Sequence, residues 1–206
     1  MLNISDITVR LGGRTILDGA TSRLPPRGSI GLIGRNGAGK STLVRVIAGM
    51  LEADTGSVDM PRGARIGYIA QEAPGGDDSP FETVLAADLE RAALMAESEH
   101  CHEPHRLGDI HERLIAIDAH SAPSRAARIL SGLGFDEEAQ GRPLESFSGG
   151  WRMRVALAAL LFSAPDLLLL DEPSNHLDLE AVLWLEDFLK SYPATILPSF
   201  TDPVIS

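Results

Sequence analysis

The 206-residue sequence is poor in cysteine, in aromatic residues and in basic side chains. Its single cysteine, Cys101, cannot form a disulfide within the chain, which favours a reducing, cytoplasmic environment. No apolar run reaches the roughly 18 residues of a membrane span, and residues 1–6 lack the basic segment of a signal peptide, so we expect neither. The net charge of -11 argues against a protein that coats nucleic acid through charge alone. These absences favour a globular domain, and the 44% of hydrophobic residues suffice for its core.

The most informative segment is residues 34–42, which follow the pattern G-x-x-x-x-G-K-[ST] of a phosphate-binding loop. In order, they are Gly34, Arg35, Asn36, Gly37, Ala38, Gly39, Lys40, Ser41 and Thr42. A predicted buried strand at 29–33 precedes the loop and a predicted helix at 43–49 follows it, which is the context that the pattern requires. The glycines allow backbone N–H groups to point at phosphate oxygens, and the helix N-terminus adds partial positive charge.

Two side chains of this loop have predicted roles of their own. Lys40 supplies a full charge to the β and γ phosphates of a nucleotide, and the Ser41 hydroxyl is placed to bind Mg²⁺. No aromatic residue lies near Leu11, where we expect one to stack on the base. Base binding is therefore expected to rest on aliphatic contacts and to be weak.

Carboxylates follow a second apolar strand, predicted at 166–170. Asp171 and Glu172 stand where this buried strand meets its loop, a place where charges are costly unless a cation or bound water uses them. Asp171 is the expected Mg²⁺ partner, and Glu172 is the candidate general base for a water that attacks the γ-phosphate. Gln71 follows a predicted strand at 64–70, so that its amide oxygen could contact Mg²⁺ or the attacking water.

A second anion site is predicted at the start of a helix that runs to residue 162. Ser148 is a suitable N-cap, and Gly149 and Gly150 leave the first backbone N–H groups accessible. Asp178 is expected to cap a further helix at 179–190.

The order of these segments predicts an α/β fold, a P-loop NTPase core with a mostly parallel sheet, an N-terminal antiparallel β layer and an inserted α-helical subdomain. Residues 2–9 and 15–17 are the strands of the antiparallel layer, and the apolar spacing from 81 to 133 is helical. We expect one nucleotide-binding domain over 1–206, with its core at 1–74 and 147–197, its helical subdomain at 81–146 and an atypical tail at 198–206.

The same segments, in this order, resemble an ATP-binding cassette over nearly the whole chain. The motifs that match are the phosphate loop, Gln71, Ser148-Gly149-Gly150, Leu167–Asp171, Glu172 and Asp178. Within this family the chain resembles the first cassette of the ABC-F class, whose members carry two cassettes and no membrane domain. The residues that carry this closer resemblance are Trp151–Arg154, Glu172–Asp178 and Trp184–Leu189. The resemblance implies ATP and Mg²⁺ as ligands, a second cassette as partner, ATP hydrolysis, and binding at the ribosome with effects on translation.

The chain departs from this family near its end. Thr201 stands where the family has a histidine, and Pro198 is expected to interrupt the preceding strand. The linker and second cassette are also missing, and a frameshift or premature stop is our hypothesis for all three departures. Three functions stay open: an ATPase cassette of the soluble translation class, a nucleotide-binding module that no longer hydrolyses, and the ATPase subunit of a transporter.

Overall fold

The computed structural model describes residues 2–69 and 73–201. Within these ranges the chain forms two compact units. The first consists of residues 2–69, 164–175 and 189–201, and the second of residues 73–163 and 176–188. Gln71, predicted to lie near the phosphates, is outside the described residues.

Two sheets and one helix make up the first unit. Its strands are β1 (Leu2–Leu11), β2 (Arg14–Leu24), β3 (Leu32–Gly34), β4 (Thr55–Asp59), β5 (Ile66–Tyr68), β6 (Leu167–Asp171) and β7 (Thr195–Thr201), and its helix is α1 (Lys40–Ile47). The order β2-β1-β4 is antiparallel, whereas β3-β7-β6-β5 is parallel. The predicted α/β class, with a parallel sheet beside an N-terminal antiparallel layer, is confirmed.

The core of this unit lies around β6 and α1. All four leucines of β6, Leu167 to Leu170, are buried, as expected for a central parallel strand that is covered on both faces. Helix α1 packs against β6 through Val44 and Ile47, which are also buried. The glycine that follows α1, Gly49, has a φ of 72°, the left-handed conformation that ends helices, as predicted. The end of β6 and the start of α1 are thereby held by one hydrophobic core.

Strand β7 continues through Pro198, so the prediction that this proline interrupts the strand is wrong. N–H groups of a parallel strand point alternately to its two neighbours. Ile196 bonds on the β3 side, donating to Gly28 O at 2.9 Å and accepting from Ile30 N at 3.0 Å, so position 198 faces that side too. The missing N–H of Pro198 therefore leaves the bonds between β7 and β6 intact. It also explains why β3 begins only at Leu32, later than predicted.

The second unit is helical. Its helices are α2 (Pro80–Ala86), α3 (Leu89–His100), α4 (Pro104–Ala116), α5 (Ala122–Gly132), α6 (Glu137–Gln140) and α7 (Gly149–Phe162), followed by α8 (Leu179–Lys190), whose last two residues lie in the first unit. Local sequence explains several starts. Ser79 and Glu82 form a reciprocal capping box at α2, and the Asp178 carboxylate accepts from Ala181 N at 3.0 Å at the start of α8, as predicted.

One apolar pair of the first unit stays open to solvent. Ile33 in β3 and Phe200 in β7 are register partners, and they are 67% and 43% exposed. Both faces of a parallel sheet are normally covered, so this pair is unusual for its position. Over the described part of the chain, no helix combines the length and hydropathy that crossing a bilayer requires.

Candidate functional site

Residues 34–42 form a tight loop between β3 and α1, as the pattern predicts. Gly37 and Gly39 have φ values of 79° and 92°, in the region that favours glycine. A Cβ at Gly39 would also come within 2.9 Å of Leu17 Cδ2 and 3.0 Å of Ile16 O, since β2 lies directly against the loop. Gly39 is therefore required both by its backbone conformation and by the close approach of a neighbouring strand.

The side chain of Lys40 lies within this loop. It is only 7% exposed, and its ammonium donates to Gly34 O at 2.8 Å and to Arg35 O at 3.1 Å. An ammonium has three donors, so one remains for a ligand even while the two carbonyl bonds are kept. The adjacent Ser41 hydroxyl makes no hydrogen bond within residues 2–69 and 73–201, which leaves its oxygen accessible to a cation.

Asp171 is the last residue of β6, and Glu172 begins the loop that follows. Ser199 in β7 joins the two residues, since its Oγ donates to Asp171 Oδ1 at 2.5 Å and accepts from Glu172 N at 3.1 Å. Glu172 has a φ of 49°, a left-handed conformation that is uncommon for a residue with a side chain. Asn175 holds the Glu172 carboxylate, donating from Nδ2 to Oε2 at 2.8 Å. The orientations of both predicted carboxylates are therefore fixed by named contacts.

The oxygen atoms that this unit offers as metal ligands fit Mg²⁺. This hard cation prefers oxygen ligands and is commonly held by one or two protein oxygens together with phosphates. Ser41 offers a hydroxyl, and Asp171 offers Oδ2, which accepts no hydrogen bond from the described residues. No group of three or more His, Cys, Asp and Glu side chains suited to a metal occurs among residues 2–69 and 73–201. Two protein oxygens, from Ser41 and Asp171, are therefore better suited to a Mg²⁺ ion that is also bound by nucleotide phosphates than to an ion bound by protein alone.

In the second unit, α7 begins at Gly149, directly after Ser148, as predicted. Ser148 has an extended backbone, with φ −66° and ψ 161°, but its hydroxyl makes no capping hydrogen bond. Ser148 is therefore the N-cap residue by position and backbone, as predicted, but not through its side chain. Ser148 and Gly149 are exposed, so water can reach the first N–H groups and no side-chain acceptor is needed. The hydroxyl and these N–H groups are consequently open to an anionic ligand.

Arg154, in the middle of α7, is a buried charge with several hydrogen bonds. It is 8% exposed, and its guanidinium donates to His176 O at 2.8 Å, Leu133 O at 3.1 Å and Asp178 Oδ2 at 2.9 Å. It also lies 4.4 Å from the centre of the Trp151 ring. The N–H of Ala181 and the Arg154 guanidinium together lower the pKa of Asp178. Arg154 thereby ties the start of α7 to the segment 176–178 before α8.

Sequence reasoning did not single out Ser199, Asn175 or Arg154 as site residues. Arg154 and Asn175 were noticed only as part of the resemblance, and Ser199 lies in the stretch that departs from the family. The pairing of β7 with β3 shows where the last part of β7 lies, because Thr201 pairs with Gly34 at the start of the phosphate loop. The position where the family has a histidine therefore lies beside this loop.

Comparison with known proteins agrees with these observations. The family profile described as "ABC transporter" matches residues 17–175. The chain therefore belongs to this family of ATP-binding cassettes, which are P-loop ATPases. A solved structure titled "Structure of ATP binding subunit of ABC transporter" has the same fold, with a TM-score of 0.73 at 20% identity over 98% of this chain and 79% of that one.

The relatives of higher identity are ABC-F proteins, which confirms the predicted class. The chain is 44% identical over 213 residues to "Probable ATP-binding protein YheS" of Escherichia coli (strain K12), covering 100% of this chain and 33% of that protein. It is 41% identical over 207 residues to "ATP-binding cassette sub-family F member 3" of Homo sapiens, covering 95% of this chain and 28% of that protein. The chain thus spans about a third or less of the length of these curated relatives.

Proposed function

We propose that this chain binds Mg-ATP at residues 34–42 and contributes to ATP hydrolysis as one cassette of an ABC-F ATPase. One observation carries the proposal. The Lys40 ammonium is buried in the loop on two backbone carbonyls, in the same compact unit as the carboxylates of Asp171 and Glu172. A buried cation beside backbone N–H donors suits the γ-phosphate, whose transfer depends on positioning and charge neutralisation.

Each residue of the loop and its neighbours then has a role. Lys40 contacts the β and γ phosphates, while the backbone of residues 34–42 surrounds them. Ser41, Asp171 and Gln71 would hold Mg²⁺, which when bound neutralises phosphate charge. Glu172 accepts a proton from the attacking water, and Asn175 keeps its carboxylate turned for that task.

A second cassette completes the site. In the arrangement we propose, ATP on the phosphate loop of one cassette is also bound by Ser148, Gly149 and Gly150 of another. The support is the exposed start of α7, whose Ser148 hydroxyl is not used as a cap. The partner is either the second cassette of a longer protein or another copy of this chain. Alone, the chain should bind Mg-ATP but hydrolyse it poorly, since Thr201 also replaces the histidine of the family.

We also propose a cellular setting, a cytoplasmic ATPase that acts at the ribosome in translation, as the resemblance to the ABC-F class implies. The similarity to YheS and to sub-family F member 3 over a single cassette supports the class. A pull-down from lysate tests this part separately. Ribosomal RNA on the beads would support it, whereas an integral membrane protein would favour the transporter subunit that we consider the alternative.

The binding test compares the parent chain with Lys40→Ala by calorimetry of Mg-ATP. We expect the variant to lose ATP binding, because it removes the full charge at the β and γ phosphates. The chain has only one other lysine, Lys190, an exposed residue at the end of α8, so Lys190→Ala is a matched control that should bind normally. Equal ATP affinities of the parent and Lys40→Ala would exclude the loop as the binding site.

A further inference from the structure

The hydroxyl of Ser199 connects the two carboxylates that the proposed function uses. Ser199 is fully buried in β7 and lies opposite Asp171 in the β6–β7 register. Its Oγ donates to Asp171 Oδ1 at 2.5 Å and accepts from Glu172 N at 3.1 Å. A serine hydroxyl has one donor and two acceptor lone pairs, so both bonds can exist at once. One oxygen atom therefore fixes a carboxylate on one side and a backbone N–H on the other.

The bond to Glu172 matters because of the conformation of that residue. With a φ of 49°, Glu172 leaves the strand geometry of β6, and the Ser199 hydroxyl satisfies its N–H. Asn175 contacts Glu172 on the loop side, donating from its backbone N to Glu172 O at 3.1 Å and from Nδ2 to Oε2 at 2.8 Å. A non-glycine residue keeps such a backbone only where its surroundings hold it. Ser199 and Asn175 both provide such contacts.

The bond to Asp171 matters for cation binding. With Oδ1 engaged by Ser199, Asp171 Oδ2 accepts no hydrogen bond from the described residues, and the bond to Oδ1 restricts the orientation of the carboxylate. Residues behind a metal ligand set its orientation, and their loss commonly weakens metal binding about 10–100-fold.

We propose that Ser199 is a positioning residue that orients Asp171 toward the nucleotide-bound cation and holds Glu172 in its left-handed conformation. This inference rests on the proposed function, in which Asp171 is a Mg²⁺ ligand and Glu172 the general base. Ser199 itself touches neither nucleotide nor water in this scheme. It acts through the hydrogen bond that it donates to Asp171 and the one that it accepts from Glu172 N.

Thermodynamic linkage between metal and nucleotide provides the test. The ATP affinity of the full chain is measured by calorimetry in EDTA and again with saturating Mn²⁺, and the ratio of the two affinities reports how well the protein holds the metal. In Ser199→Ala we expect this ratio to fall about tenfold or more, with the affinity in EDTA unchanged. Ser199→Cys, which has a similar size and a weaker donor, should give a smaller fall, and it replaces the alanine variant if that one does not fold.

The matched control is Thr195→Val in the same strand. The Thr195 hydroxyl is also buried, accepts from a backbone N–H, that of Arg27 at 3.1 Å, and donates to a carbonyl, Pro25 O at 3.3 Å. Its loss should therefore perturb β7 to a comparable degree without changing the Mn²⁺ ratio. If Mn²⁺ strengthens ATP binding to the parent chain and the ratio of the two affinities is the same in both Ser199 variants, the positioning role is overturned. A parent chain that binds no ATP would instead refute the proposed function.

Amide exchange gives a readout that needs no nucleotide. The Glu172 N–H should exchange at least about tenfold faster in Ser199→Ala than in the parent, because the hydroxyl that accepts its hydrogen bond is lost. Thr195→Val should leave that amide protected. Equal protection of the Glu172 N–H in the parent and both Ser199 variants would show that the hydroxyl does not hold this residue.

Discussion

Replacing Arg154 by methionine tests how the second unit holds the start of α7 against the segment before α8. Methionine keeps most of the side-chain length but has no donors, so His176 O and Leu133 O lose the guanidinium that bonds them at 2.8 and 3.1 Å. Leu133 is buried, so its carbonyl left without a partner costs about 1–3 kcal/mol. His176 is exposed, so water replaces the guanidinium at its carbonyl and we count nothing for it. We count nothing for Asp178, because its carboxylate is exposed and water replaces the arginine.

Other effects of this substitution partly cancel. The contact of the guanidinium with the Trp151 ring contributes about 0.5–2 kcal/mol, and the apolar methionine side chain recovers a similar amount by packing at the same place. The free energy of unfolding should therefore fall by about 2 kcal/mol, in the middle of the range for the buried Leu133 carbonyl. The free energy of unfolding of Arg154→Lys should lie between those of the parent and Arg154→Met. An ammonium retains the charge but lacks the planar guanidinium that reaches three acceptors.

Urea denaturation followed by tryptophan fluorescence measures this loss. Both tryptophans, Trp151 and Trp184, lie in the second unit, so the signal reports the part of the chain that contains Arg154. Arg142→Met is the control, since Arg142 also stacks on an aromatic ring, that of Phe147 at 4.9 Å, but is exposed. It should lose less than about 1 kcal/mol. Equal losses in the two variants would show that the carbonyl contacts of Arg154 do not stabilise this unit.

Two further predictions concern the first unit. Glu172→Gln should bind Mg-ATP normally and release no phosphate when an intact second cassette is supplied in trans, because an amide cannot take a proton from water; a variant that keeps pace with the parent would exclude Glu172 as the base. Burial raises the pKa of Tyr192 to about 12, so stability should be intact below pH ~10, where an unfolded tyrosine is also neutral, and should decline as the pH rises toward 12. The urea midpoint of unfolding, followed by circular dichroism, should decline less over this window in Tyr192→Phe than in the parent. An equal decline of the midpoint with pH in both proteins would show that Tyr192 does not cause this loss of stability.

The phosphate loop and the strand before Asp171 could be predicted because their signals are local. The glycine pattern with its lysine and the run of four buried leucines are each a contiguous segment, and each has a physical meaning of its own. The contacts that orient the site were not predictable in this way. Ser199 reaches Asp171 only because β7 pairs with β6 in one register, and a shift of one residue would turn its side chain to the other face of the sheet.

The features that differ from the predictions, or that were not predicted, depend on contacts and exposure that the local sequence does not show. The effect of Pro198 depends on which neighbour its missing N–H faces, and that direction is set by pairing between strands that are distant in sequence. Ser148 is the N-cap residue of α7, but whether its hydroxyl bonds a backbone N–H depends on whether those groups need an acceptor, and the start of α7 is exposed to water. The left-handed backbone of Glu172 has no local signal at all, because asparagine and glycine are the residues that usually adopt it.

The open pair Ile33 and Phe200 has a consequence for how the chain behaves in solution. An uncovered apolar pair beside an edge strand of the sheet favours contacts between molecules, whereas a net charge of -11 keeps the molecules apart. The repulsion reaches about 10 Å at 0.1 M salt and about 3 Å at 1 M. The colloidal stability of this chain is therefore set by ionic strength, and concentrated preparations should be kept at low salt and at a pH well above the isoelectric point of about 4.9.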